Sequence, residues 1–91
     1  MKITLTYAAQ LGKETGCAGE SLDLESGTTL VELLARVSDR YPPRFRQLLF
    51  DGDQLHRSLI VAIDGAQVRD PGAFPLEQDH EVMLMTPMAG G

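Results

Sequence analysis

A single cysteine, Cys17, is present in 91 residues, so the chain cannot form an internal disulfide. Basic residues are scarce. Eight Lys and Arg stand against thirteen Asp and Glu, a net charge of −5, which argues against nucleic acid as the main ligand. No apolar run is long enough to span a bilayer, so no membrane partner is expected. Met1-Lys2 leads directly into an alternating segment rather than a leader, and a cytoplasmic location is the expectation. Metal-ligand spacing is missing as well. His56 and His80 lie far apart with no cysteine at a suitable interval, and each reads as a loop histidine. Cys17 has no histidine near it in sequence and reads as an incidental loop thiol. Gly16 and Gly19 are not followed by the Gly-Lys-Ser/Thr of a phosphate loop. Glu77, Asp79 and Glu81 do not have the spacing of a calcium loop. No internal catalytic site emerges, and an enzyme is not expected.

What is present fits one small domain. The hydrophobic fraction, 43 %, is ordinary for a globular chain. Ile3, Leu5 and Tyr7 alternate with Thr4, Thr6 and Ala8, which predicts a strand over 2–8. Gly12, Gly16 and Gly19 mark a mobile connection, and Ser21-Leu22-Asp23-Leu24 alternates again as the second strand of a hairpin. Thr29 with Glu32 fits a capping box. Leu30, Leu33, Leu34 and Val37 then occupy one helical face, with Arg36 and Arg40 complementing the C-terminal dipole. Tyr41-Pro42-Pro43 stops this main helix. Phe45, Leu48, Leu49 and Phe50 suggest a further helical turn over the core, and Asp51-Gly52-Asp53 a turn.

Leu59 to Ile63 is a strongly apolar strand, Asp64-Gly65 a two-residue hairpin signal, and Gln67-Val68 the return. Asp70-Pro71-Gly72 and Pro75 mark a loop, and 81–86 the last strand. Val82 and Leu84 face one way, and Met83 and Met85 the other. A strand apolar on both sides belongs in the middle of its sheet. The main helix covers one face only, leaving Thr4, Thr6, Met83 and Met85 on the other. This arrangement is an α+β, ubiquitin-like β-grasp: a mixed sheet of about five strands with one main helix on one face.

After that strand come Pro87-Met88-Ala89-Gly90-Gly91. Read as domain organisation, 1–86 is the β-grasp body and 87–91 a flexible C-terminal tail. Five extended residues would project about 16 Å. Glycine lacks a Cβ, so a partner's backbone can close tightly around such an arm, and its last group would be a free α-carboxylate. A frayed terminus is the plain alternative. Met83 suits a filled core and an open face equally well. Met85 and Met88, at the root of the tail, suit docking better, because methionine repacks readily against partners.

Strand order, helix position, the tyrosine-proline stop and the terminal diglycine together resemble the MoaD/ThiS family of ubiquitin-like sulfur carriers, over the whole chain. The most specific part is Thr86-Pro87-Met88-Ala89-Gly90-Gly91, similar to the end of the molybdopterin synthase small subunit. Ile3-Thr4-Leu5-Thr6-Tyr7-Ala8 looks like that family's opening strand. Two departures are visible: Gln78-Asp79-His80 replaces Asp-Gly-Asp, and Pro87 is a lone proline. The resemblance implies that an E1-like adenylyltransferase uses ATP to adenylate Gly91, and that sulfur then displaces AMP to leave a thiocarboxylate. It implies no bound cofactor. It also implies a sulfur-accepting partner, such as the molybdopterin synthase large subunit or thiazole synthase, into which Pro87, Met88, Ala89 and Gly90 thread. It places a partner-contacting aromatic at Tyr7, although alternation groups Tyr7 with the core residues Ile3 and Leu5.

Overall fold

The computed structural model describes residues 1–87, and the calls on Met88, Ala89, Gly90 and Gly91 lie outside the described residues. Strand β1 (Lys2–Tyr7) runs antiparallel to β2 (Gly19–Asp23) and parallel to β9 (His80–Met85). β9 is antiparallel to β6 (Ile60–Ile63), which pairs with β7 (Ala66–Gln67). The order is β2-β1-β9-β6-β7, so the strand with two apolar faces is central, as its pattern predicts. Parallel β1 and β9 give the sheet its mixed character.

Helix α2 (Leu30–Ser38) lies across one face. It starts where the capping pattern places it: the Glu32 backbone N–H donates to Thr29 Oγ1 at 3.2 Å. Leu30, Leu33, Leu34 and Val37 are all buried, against Ile3, Leu5, Val82 and Leu84 from the sheet. Helix α3 (Pro43–Leu49) follows the Tyr-Pro-Pro stop, with Pro43 at a first-turn position where no N–H is needed. It buries Phe45 and Leu49 over the same core.

Three features depart from the sequence reading. The stretch between β1 and β2 is not simply a mobile connection: Gln10–Thr15 forms helix α1, which seals the end of the core with the fully buried Leu11. Six residues with one apolar anchor carry too little periodicity to announce a helix. Two small ladders also brace the loops. β3 (Thr28–Thr29) pairs with β8 (Pro75–Leu76), and β4 (Phe50–Asp51) with β5 (Gln54–Leu55). Finally, His80 is the first residue of β9 rather than part of a loop, whereas His56 does lie in one.

The Asp64-Gly65 turn has φ of 52° and 87°, the positive pair that a tight β6–β7 hairpin demands. Asp64 also anchors the start of β9. Its carboxylate accepts the Glu81 backbone N–H at 2.9 Å and faces His80 Nδ1 at 2.6 Å. No helix among the described residues is long and apolar enough to cross a membrane.

Candidate functional site

Alternation sorts the sheet residues onto two faces. On the face away from the helices, Met85 lies opposite Ile60 and Met83 opposite Ala62 across the β6–β9 pair. Thr6 neighbours Met83 from the parallel side, and Thr4 neighbours Glu81. All four apolar residues are half-buried, although no element among the described residues covers them. The partial burial comes from their neighbours in the sheet, since cross-strand pairs shield one another. The result is an apolar strip two strands wide, bordered by the two threonines, leading to the end of β9. Thr86 and Pro87 leave the sheet there. Met83 and Met85 therefore occupy the open face, so for Met83 the filled-core alternative falls away.

Tyr7 does not join them. It is only 3 % exposed and belongs to the helix-covered face, as alternation requires, so the partner contact implied by resemblance is corrected. Its ring packs edge-on to Phe45 at 5.5 Å and to Tyr41 at 6.1 Å. Its hydroxyl donates to Glu20 Oε2 at 2.6 Å. Tyr41 donates to the same oxygen, and Arg40 pairs with the other one. Arg40 thus serves Glu20, beyond the last helical residue, rather than the helix dipole.

Burial would raise the Glu20 pKa. The hydrogen bonds from Tyr41, Tyr7 and Arg40 outweigh it and hold the carboxyl below its usual range. Burial, and then Glu20 itself, push both phenols up, so they remain donors. Tyr7 lies beside Leu84 in the parallel register, so this cluster braces the end of the sheet from which the chain leaves.

Sequence reasoning missed Glu20. The signal was available: extending the Leu24–Leu22 alternation back two residues puts a carboxylate on the covered face, opposite Leu5. Cys17, half-buried, lies 3.8 Å from the Tyr41 hydroxyl and 3.7 Å from Thr15 Oγ1. Neither is a base that would activate the thiol. Among the described residues, no group of three His, Cys, Asp or Glu side chains is placed to hold a metal ion.

The ThiS family model matches residues 5–91, nearly the whole chain. The chain belongs to the ThiS family. No curated protein sequence matches it. Solved structures share the fold at low identity. SAMP1 from Haloferax volcanii, a small archaeal modifier protein, is 19 % identical with a TM-score of 0.78, each chain covered at 100 %. Urm1 from Trypanosoma brucei is 20 % identical with a TM-score of 0.80, covering 99 % of this chain and 95 % of that one. A putative molybdopterin converting factor subunit 1 from Pyrococcus furiosus is 20 % identical with a TM-score of 0.71, at 97 % and 99 % coverage. This ThiS-family chain therefore has the ubiquitin-like β-grasp that its pattern predicts.

Proposed function

We propose that this protein is a sulfur carrier and not itself an enzyme. Its Gly91 α-carboxylate attacks the α-phosphorus of ATP on an E1-like adenylyltransferase and releases pyrophosphate. Hydrosulfide then adds to the acyl carbon, the acyl–phosphate bond breaks, and AMP leaves. The thiol proton goes to solvent, leaving a thiocarboxylate. Adenylation is needed because a carboxylate is a poor electrophile and hydroxide a poor leaving group. The partners supply positioning and electrostatics. The carrier supplies the acyl group and a docking surface.

The observation that carries this reading is the uncovered strip of Met83, Met85, Ile60 and Ala62, leading to the end of β9 at Thr86-Pro87. An apolar strip on an otherwise acidic chain suits a partner interface. The acidic surface suits partners with positive clefts. Gly90, Ala89, Met88 and Pro87 are the residues threaded into those clefts. Within this chemistry the favoured destination of the sulfur is molybdopterin, with a partner like the synthase large subunit. The likeness of the last six residues to the end of the molybdopterin synthase small subunit supports that choice. Thiazole, cysteine and thiolated RNA are the other destinations open to the same thiocarboxylate.

Intact-mass spectrometry of the protein isolated from its own cell tests the reading. One oxygen replaced by sulfur on the C-terminal fragment is expected. A chain found only in isopeptide conjugates would make it a protein modifier instead. A chain that an adenylyltransferase activates equally well without Gly90 and Gly91 would end the reading.

A further inference from the structure

Among the described residues, positive φ falls on Gly16, Gly27, Gly52 and Gly65, and on two residues that are not glycine, Asp64 and Ala9. The side chain of Asp64 accounts for its place, since it fixes Glu81 and His80. Ala9 has no such account. It sits at φ 52° and ψ −120°. The Leu11 backbone N–H closes the turn onto the Ala8 carbonyl at 3.2 Å, with Ala9 in the first central position. A turn of that hand takes glycine there, because an L side chain is strained. The Ala9 methyl is exposed and forms no hydrogen bond, so the free domain gains little from carrying it.

Location gives the methyl a use. Ala8 continues the alternation of Thr4 and Thr6, which puts it on the open face. Its backbone N–H donates to the Leu84 carbonyl at 3.0 Å. That bond carries the β1–β9 register one step past Tyr7 and Leu84 and sets Ala8 beside Met85. Ala8 is half-buried, as the residues of the apolar strip are. The turn therefore extends the strip on the β1 side of Met85, while Ile60 borders it on the other. Neither alanine has a polar side-chain atom, so a partner reaching either side chain meets a methyl group. Such a surface suits apolar groups brought to van der Waals distance.

We propose that the Ala8–Ala9 turn belongs to the docking surface, and that the strained Ala9 supplies a methyl contact to the apolar docking face of an adenylyltransferase. The inference rests on the sulfur-carrier reading, in which every destination of the sulfur requires that enzyme first. The free domain bears the strain, and the contact is gained only in the complex. Stability and affinity should therefore move in opposite directions at this residue.

The test uses the full chain and the adenylyltransferase that releases pyrophosphate from ATP in its presence. Urea midpoints of the free variants and calorimetric affinities for that enzyme are measured side by side. Ala9→Gly should raise the midpoint, since glycine adopts this conformation freely. It should also weaken binding about fourfold, the effect of one buried methyl group. Ala66→Gly removes an exposed methyl at the opposite end of the sheet, and should neither raise the midpoint nor weaken binding. Ala9→Glu adds a charge that the partner must bury and should weaken binding more than tenfold. Ala66→Glu, of the same net charge, should not. An Ala9→Gly variant that binds as tightly as the wild type would overturn the proposal. So would one whose midpoint is no higher, since no strain would then be held at the turn. Equal losses in Ala9→Glu and Ala66→Glu would also overturn it, because net charge rather than the turn would be at work. Weakened binding to a sulfur acceptor alone would give the turn to that partner instead. If no adenylyltransferase acts on the wild-type chain, the functional proposal fails; if one does and Ala9→Gly binds it normally, only the turn loses its role.

Discussion

The Tyr7 hydroxyl donates to Glu20 across the β1–β2 pair at 2.6 Å, and through that carboxylate Tyr7 is tied to Tyr41 and Arg40. Three donors converge on one side chain, so removing it strands the others. Glu20→Ala leaves the buried Tyr7 hydroxyl without its partner, at a cost of about 1–3 kcal/mol. Glu20→Gln keeps an acceptor oxygen but loses the charge, and should cost less. The denaturant midpoints of the two variants, with an unchanged m-value, check the order. An unaltered midpoint in Glu20→Ala would mean that the aromatic packing alone holds this end.

The same carboxylate gives a pH dependence with a definite sign. Glu20 is held below its ordinary pKa by its three donors, against the opposing effect of burial. The Glu81 backbone N–H, and then His80, hold Asp64 low. For both, the folded state binds protons less readily than the unfolded state. Their contribution is therefore fully present above the unfolded carboxylate pKa of about 4, and is lost as pH falls through the lowered folded values. Thermal midpoints measured from pH 7 down to pH 2 should fall most steeply below pH 4. Glu20→Gln should flatten that fall. A parallel, undiminished slope in the variant would assign the acid sensitivity elsewhere.

Much of this architecture was legible because burial leaves a period in the chain. Leu30, Leu33, Leu34 and Val37 announce α2, and Met83 and Met85 against Val82 and Leu84 announce a central strand. The elements that were missed bury too little to leave one. α1 rests on Leu11 alone, and β3 and β8 are two residues each. At the site, the open face followed from alternation. Tyr7 shows where alternation and resemblance disagreed, and the physical period was right. His80 reads as a loop histidine in the sequence because what fixes it at the start of β9 lies elsewhere in the chain: the Asp64 turn and the Phe74 ring at 5.7 Å.

Gly19 yields a sharper prediction. A Cβ built on it would stand 2.2 Å from the Leu5 carbonyl oxygen, and no rotamer relieves a clash with backbone. The sequence reading took this residue for a loop marker, yet it starts β2 opposite Thr6. Gly19→Ala must push β2 away from β1, at a cost on the order of 1–3 kcal/mol, comparable to overpacking a core. Gly27→Ala, where a Cβ meets nothing within 4 Å, is the comparison; it carries only the strain of its φ of +92°. Urea denaturation should place Gly19→Ala well below Gly27→Ala. The reverse order would mean that β1 and β2 part easily.

Met85 is where fold and function separate. It lies half-buried on the uncovered face, opposite Ile60, two residues before Pro87. No helix among the described residues covers this face, so the side chain of Met85→Asp can turn its charge to water in the free protein. The melting temperature should change little. In a complex, a partner seated on the strip would have to bury that charge beside Ile60 and Met83, with no cation to pair it among the strip's own residues. Truncating an interface anchor costs about 2 kcal/mol or more, and burying an unpaired charge should do at least as much harm. Affinity for the proposed adenylyltransferase or sulfur-accepting partner, measured by calorimetry, should therefore drop by roughly 30-fold or more, since each 1.4 kcal/mol is tenfold. Thr6→Asp, at the border of the strip, should cost less. Unfolding of Met85→Asp would show that the open face contributes to the core. Undiminished affinity for both partners in a folded variant would mean that they grip the carrier elsewhere, and the strip would lose its assigned role.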